Sequence, residues 1–148
     1  MRTHTLNRYP ARDELVRWIL VGALAGAAAV LVFHQGAIAI LHSLGMVPSA
    51  PYALGPTKPF GIPVIWSIAF WGAIWGAVLA ASLGRLDGLA LAAAATLFGA
   101  ILPTLVAIFV VAPLKDRPVS LVVALIVNAA WGLGTGLLLA LFGRRNPQ

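Results

Sequence analysis

The sequence predicts an all-α integral membrane protein: a bundle of four transmembrane helices with a proline-rich extracytoplasmic loop between helices one and two. Three observations predict it. Of the 148 residues, 61% are hydrophobic and only 9% charged, whereas about a quarter of an ordinary soluble domain is charged. Four apolar runs each reach the roughly 20 helical residues that cross a hydrocarbon core of about 30 Å. The charges lie almost entirely in the connections between those runs. A soluble helix bundle would need polar outer faces, which the runs lack. The whole chain, 1–148, therefore reads as a single membrane domain.

The first run covers about 15–44. It follows Asp13 and Glu14 and continues past Ala37-Ile38-Ala39, a tripeptide that resembles a signal-cleavage site, so it reads as a retained helix. Residues 45–62 carry Pro48, Pro51, Pro56 and Pro59, with Pro63 next. That spacing cannot continue a helix and predicts a semi-rigid cap with some polyproline character. The second run covers about 63–83 and ends at the tight turn 84–88. The third, about 89–111, contains Pro103, which cannot donate to the Gly99 carbonyl. A kink is expected there, with Thr104 or Asn128 satisfying the freed acceptor. A second tight turn, 112–118, leads into the fourth run, about 118–142. Short turns force neighbouring helices to pack antiparallel.

Basic residues set the orientation. Arg2, Arg8, Arg12, Arg17, Arg85, Arg144 and Arg145 fall on one side, seven in all, against Lys58, Lys115 and Arg117 on the other. The positive-inside rule then places both termini in the cytoplasm. In a bacterium, the membrane would be the inner one.

Small residues four apart let helix backbones approach closely. Helix one has Gly22 and Gly26, helix two Gly72 and Gly76, helix three Ala95 and Gly99, and helix four Gly132 and Gly136. These faces serve either packing within the bundle or docking of a protomer or partner. Trp71-Gly72 and Trp131-Gly132 also repeat at an offset of 60 residues. Duplication of a helical hairpin would produce this, and so would the ordinary abundance of Trp and Gly in membrane helices.

At 1.5 Å per residue, His34, Gln35, Ser67, Thr104 and Asn128 fall in the outer half of the bundle, and mainly Thr96 and Thr135 in the inner half. Asn128 shares a face with Gly132, Thr135 and Gly136 and is expected to point inward. No single face of helix one holds His34, Gln35 and His42. Either the helix bends at Gly36, or Gln35 and His42 emerge into the outer headgroups and the proline-rich cap, or a second face meets a partner. His34 reads first as a neutral imidazole hydrogen-bonded to a neighbouring helix. Its functional alternatives are an axial ligand to haem or a chlorophyll-type pigment, a quinone or lipid contact, or a proton relay. The residues name no particular cofactor.

The function classes narrow by exclusion. Without Cys there is neither a disulfide framework nor a thiolate metal site. Paired carboxylates, an HExxH motif and a Gly-rich phosphate loop are missing, so enzyme chemistry has weak support. A net charge of +6 and a pI near 11.3 do not imply nucleic acid, because the basic residues are scattered among connections. The expectation is an accessory or assembly subunit of a membrane complex, or a homo-oligomer, partnered by the lipid bilayer and by protein subunits. The alternative is a small carrier or binder of an uncharged or amphipathic ligand (quinone, pigment, haem or lipid), using the polar outer half.

Overall fold

The computed structural model describes residues 12–115 and 118–143. Arg2, Arg8, Arg117, Arg144 and Arg145, which enter the charge asymmetry, lie outside the described residues. Four helices are long and apolar enough to cross a membrane: α1 Arg12–Ser43, α2 Val64–Leu83, α3 Gly88–Leu114 and α4 Leu121–Phe142. With 32 residues, α1 is about 48 Å long, well beyond the roughly 30 Å of a hydrocarbon core.

Small residues pair the helices. Gly26 lies against the Gly72 carbonyl, and Gly76 against the Gly22 carbonyl, so α1 and α2 touch backbone to backbone. In the same way Gly99 meets the Asn128 carbonyl and Gly132 the Ala95 carbonyl, which joins α3 to α4. None of the glycines at these crossings has room for a Cβ. Close approach gains dispersion contacts along both backbones, which is what remains to hold helices whose side chains are uniformly apolar.

The two pairs share one contact pattern. Gly26 sits between the Gly72 carbonyl and the Gly76 Cα, while Gly99 sits between the Asn128 carbonyl and the Gly132 Cα. Trp75-Gly76 is therefore the packing counterpart of Trp131-Gly132. The offset of 60 residues legible in the sequence misses this counterpart by one helical turn, because it matches Trp131 to Trp71, whose side chain faces outward.

Indole groups lock the pairs together. Trp131 is buried and its Nε1–H donates to the Gly26 carbonyl at 2.9 Å, tying α4 to α1. Trp18 donates to the Ala80 carbonyl at 2.7 Å within the α1–α2 pair. Phe33 of α1 covers Gly134 of α4, and the Trp18 ring covers Gly143. Leu79, Leu91, Leu139, Thr104 and Thr135 are fully buried. The α2–α3 seam is far sparser than the α1–α4 seam. Its aromatic contact is Trp75 edge-on to Phe98, with ring centroids 6.0 Å apart.

Because α1 and α2 are antiparallel, each step up α1 from Gly26 matches a step down in residue number from Gly72. The start of α2 at Val64 is thus level with His34. The nine residues Gln35–Ser43 overhang it by about 14 Å. The connecting loop fills this step. Instead of a polyproline segment it forms a short antiparallel hairpin, β1 Pro56–Thr57 with β2 Ile62–Pro63. Thr57 Oγ1 donates to the Ile62 carbonyl at 2.8 Å, and Gly61, at φ +70°, donates to the Thr57 carbonyl at 2.7 Å. Both prolines of the ladder stand in a two-stranded ribbon that has only edges, where a missing N–H is tolerated. The loop also caps α2: the Gly55 and Ala53 carbonyls accept from Val64 and Ile65, two of the N–H groups a helix start leaves unpaired.

Two helices contain wide turns. A π-helical segment occupies Val30–His34 in α1 and another occupies Ala107–Val111 in α3. Helix α3 runs through Pro103 and continues into Ala112–Lys115, so the first four residues of the expected turn at 112–118 are helical. In α1 the wide turn lies just before Gly36, the position where a bend was one expectation.

Candidate functional site

The polar contacts at the loop end of the bundle gather at the wide turn of α1. At its close, the Gln35 backbone N–H donates to both the Val30 and the Val32 carbonyls and not to that of Leu31 between them. The Leu31 carbonyl is taken by Tyr52, whose hydroxyl donates to it at 2.8 Å. One turn further on, Gln35 is buried and its Oε1 accepts the Tyr52 backbone N–H at 2.7 Å. Tyr52 has φ +55°, a left-handed conformation uncommon for a residue with a Cβ. Two hydrogen bonds to α1 hold it there. His42 joins the same system, with its Nδ1 3.0 Å from the Val47 carbonyl. Of the three expectations for helix one, these bonds match the cap part of the second: Gln35 and His42 each meet loop backbone.

His34 closes the wide turn and behaves differently. Its Nδ1 is buried and has no hydrogen-bond partner among the described residues. The expected bond to a neighbouring helix is not formed. A buried polar atom left in this state is uncommon in folded proteins and calls for an explanation.

The remaining polar residues form a second group on α3 and α4. Asn128 Nδ2 donates to Thr104 Oγ1 at 3.0 Å, and Thr104 Oγ1 donates to the Ala124 carbonyl at 3.2 Å. Thr104 and Asn128 thus satisfy each other and Ala124, not the Gly99 carbonyl freed by Pro103. Ser67 is half-buried and makes no side-chain hydrogen bond among the described residues. The five polar residues therefore divide: Gln35 faces the loop, Thr104 and Asn128 pair between helices, and no hydrogen bond links the two groups. Thr96 and Thr135 bond back to the Ala92 and Trp131 carbonyls of their own helices at 2.8 and 2.9 Å.

Two clefts lie at the opposite end. One, of about 410 Å³, is lined by Trp18, Arg85, Asp87, Leu91, Leu139 and Gly143 among others. The other, about 280 Å³, is an apolar groove between α1 and α4 formed by Val21, Leu24, Ala28, Leu138 and Phe142. No group of three His, Asp or Glu side chains is placed to hold a metal ion among the described residues. Sequence reasoning missed Tyr52 as the partner of Gln35. Its only signal is an aromatic hydroxyl in a loop otherwise poor in donors. Comparison with family models, curated proteins and solved structures finds no match to this chain.

Proposed function

We propose that the chain resides in a membrane, in a bacterium the inner one, and works mainly through helix–helix contact. It would do so as an accessory or assembly subunit of a membrane complex or as a homo-oligomer. The observation that carries this reading is the unequal closure of the bundle. Trp131, Phe33 and Trp18 seal the α1–α4 seam. Across the α2–α3 seam only sparse contacts and the Trp75–Phe98 edge meet, leaving flanks of two apolar helices open to a further helix. The small-residue pairs, in contrast, are occupied within the chain, so they support the fold and not the partner. Extraction in mild detergent tests the reading by mass. A particle heavier than one 15.4 kDa chain in its micelle is the expected result, and a lone monomer would overturn it.

Orientation follows from the seven-to-three basic asymmetry. Both termini are assigned to the cytoplasm and the loop to the opposite side. Because the chain lacks Cys, single cysteines at Lys58 and Arg85 report this directly. Labelling of residue 58 from the cytoplasmic side alone would reverse the assignment.

A second reading, a binder of a quinone, pigment, haem or lipid, is favoured by one specific observation: the buried, unpartnered Nδ1 of His34. The two readings part at this residue. A structural His34 tolerates His34→Gln, and His34→Leu costs about 1–2 kcal/mol at most. A ligand role makes His34→Gln as damaging as His34→Leu, with loss of any visible absorption from a protein that remains folded, since an amide is a poor axial ligand for haem iron. A monomer that carries stoichiometric lipid or quinone would also favour the binder.

A further inference from the structure

The loop from Leu44 to Pro63 does not have the surface of a segment standing in water. Leu44, Met46, Tyr52, Leu54, Phe60 and Ile62 are all exposed, Phe60 at 83% and Leu54 at 70%. Against them the loop has one charge, Lys58, two residues from Phe60. Its position along the bundle is also unusual. Ser43 ends α1, yet Tyr52 reaches the Leu31 carbonyl, twelve residues or about 18 Å back down the helix axis. The loop lies beside α1, on the step above α2, instead of above the bundle.

The helix beneath it carries exposed aromatic side chains from this depth downward. Trp66, Phe70 and Trp71 of α2 are exposed, with Phe70 and Trp71 edge-on at 5.7 Å. Trp66 is two residues inside the start of α2, which is level with His34, so the rings of Tyr52 and Trp66 stand at similar height. Tyr and Trp gather at the boundary between acyl chains and headgroups, where an apolar ring and a polar tip are both satisfied. A lysine beside an exposed phenylalanine follows the same logic, with its ammonium reaching the phosphates while the ring enters the acyl boundary.

We propose that residues 44–63 form an interfacial anchor that lies in the lipid headgroup layer, with Leu54 and Phe60 immersed at the acyl boundary and Lys58 on the phosphates. The proposal rests on the reading that the four helices span a bilayer. Lipid is favoured over a protein partner because Tyr52 of the loop and Trp66 of α2 are both exposed at similar height, as ring residues at a headgroup boundary are, and because a single cation fits an anionic layer. The double attachment of Tyr52 to α1 acts as the tether that keeps the loop at this depth.

Nitroxide labels on single cysteines test the proposal in the full chain, reconstituted in phosphatidylcholine–phosphatidylglycerol vesicles. The sites are Leu54→Cys, Phe60→Cys and, as a mid-span reference on exposed α3 surface, Leu97→Cys. Oxygen partitions into hydrocarbon and a nickel chelate stays in water. Labels at 54 and 60 are expected to collide more often with oxygen than with nickel, at shallower depth than 97. Nickel-accessible labels at 54 and 60, with 97 still in hydrocarbon, would place the loop in water and overturn the anchor alone. Protection of 54 and 60 from both reagents would show them covered by protein, which also overturns it. Nickel access at 97 would defeat the spanning reading and the anchor with it.

Discussion

Gly76→Leu and Gly132→Leu are each expected to destabilise the protein by at least the upper end of the roughly 1–3 kcal/mol that overpacking usually costs. The reason is the neighbour each new side chain meets. At Gly76 it meets the Gly22 carbonyl and the Gly26 backbone, and at Gly132 the Ala95 carbonyl and the Gly99 Cα. Backbone cannot rotate aside as a side chain can, so the helices must separate, and dispersion contacts along the whole crossing weaken. Gly36 provides an internal comparison. It is also helical, but nothing lies within 4 Å of the position a Cβ would take. Gly36→Ala should therefore be neutral or gain up to about 1 kcal/mol from helix propensity. Unfolding in a mixed-detergent titration measures all three, and equal tolerance of Gly76→Leu, Gly132→Leu and Gly36→Ala would remove the backbone-contact account. Leu79 is no neutral reference for such a series, because it is fully buried and Leu79→Ala opens a cavity of its own.

Trp131→Ala should cost about 3–5 kcal/mol, the usual range for emptying a buried aromatic site, whereas Trp71→Ala should fall within about 0.5 kcal/mol of the parent protein. Trp131 is 3% exposed and Trp71 55%, although the two occupy matching places in the sequence repeat. Trp131→Phe separates ring from donor. It keeps most of the packed volume but abolishes the bond to the Gly26 carbonyl, which in a membrane helix is worth about 0.6 and at most about 1.7 kcal/mol. The expected order of loss is Trp131→Ala, then Trp131→Phe, then Trp71→Ala. If Trp71→Ala proves as costly as Trp131→Ala, the two helices are equivalent at the sequence offset, and the register that matches Trp75 to Trp131 is wrong.

The four helices were legible because length and apolarity are properties of a single run, readable without knowledge of its neighbours. The described bounds fall within a few residues of the runs at 15–44, 63–83, 89–111 and 118–142. The small residues were legible for a similar reason, since a spacing of four marks one side of a helix wherever that side points. What the spacing does not encode is the identity of the opposing helix or its axial shift, and for that reason the Trp-Gly repeat pointed to Trp71 and not to Trp75. Polar contacts were less legible: Thr104 and Asn128 were placed in one polar set, but not as partners of each other. The contact of Gln35 was not legible, because its partner Tyr52 belongs to a loop whose path depends on the overhang of α1. The wide turn at Val30–His34 has no local mark in the sequence. The one loop contact within it, from the Tyr52 hydroxyl to the Leu31 carbonyl, comes from a residue outside the run.

That wide turn also divides α1 into two parts with separate rotational phase. A π-helical segment accommodates one residue more than the same rise of α-helix, so everything beyond it is turned by about 100° relative to an unbroken helix. Below the turn, Gly22 and Gly26 meet α2, while the Gly26 carbonyl serves Trp131 of α4. Above it, Gln35 and His42 address the loop. The side of α1 that closes the bundle and the side that carries the loop are thus set independently, and one helix can change its upper surface without disturbing the lower.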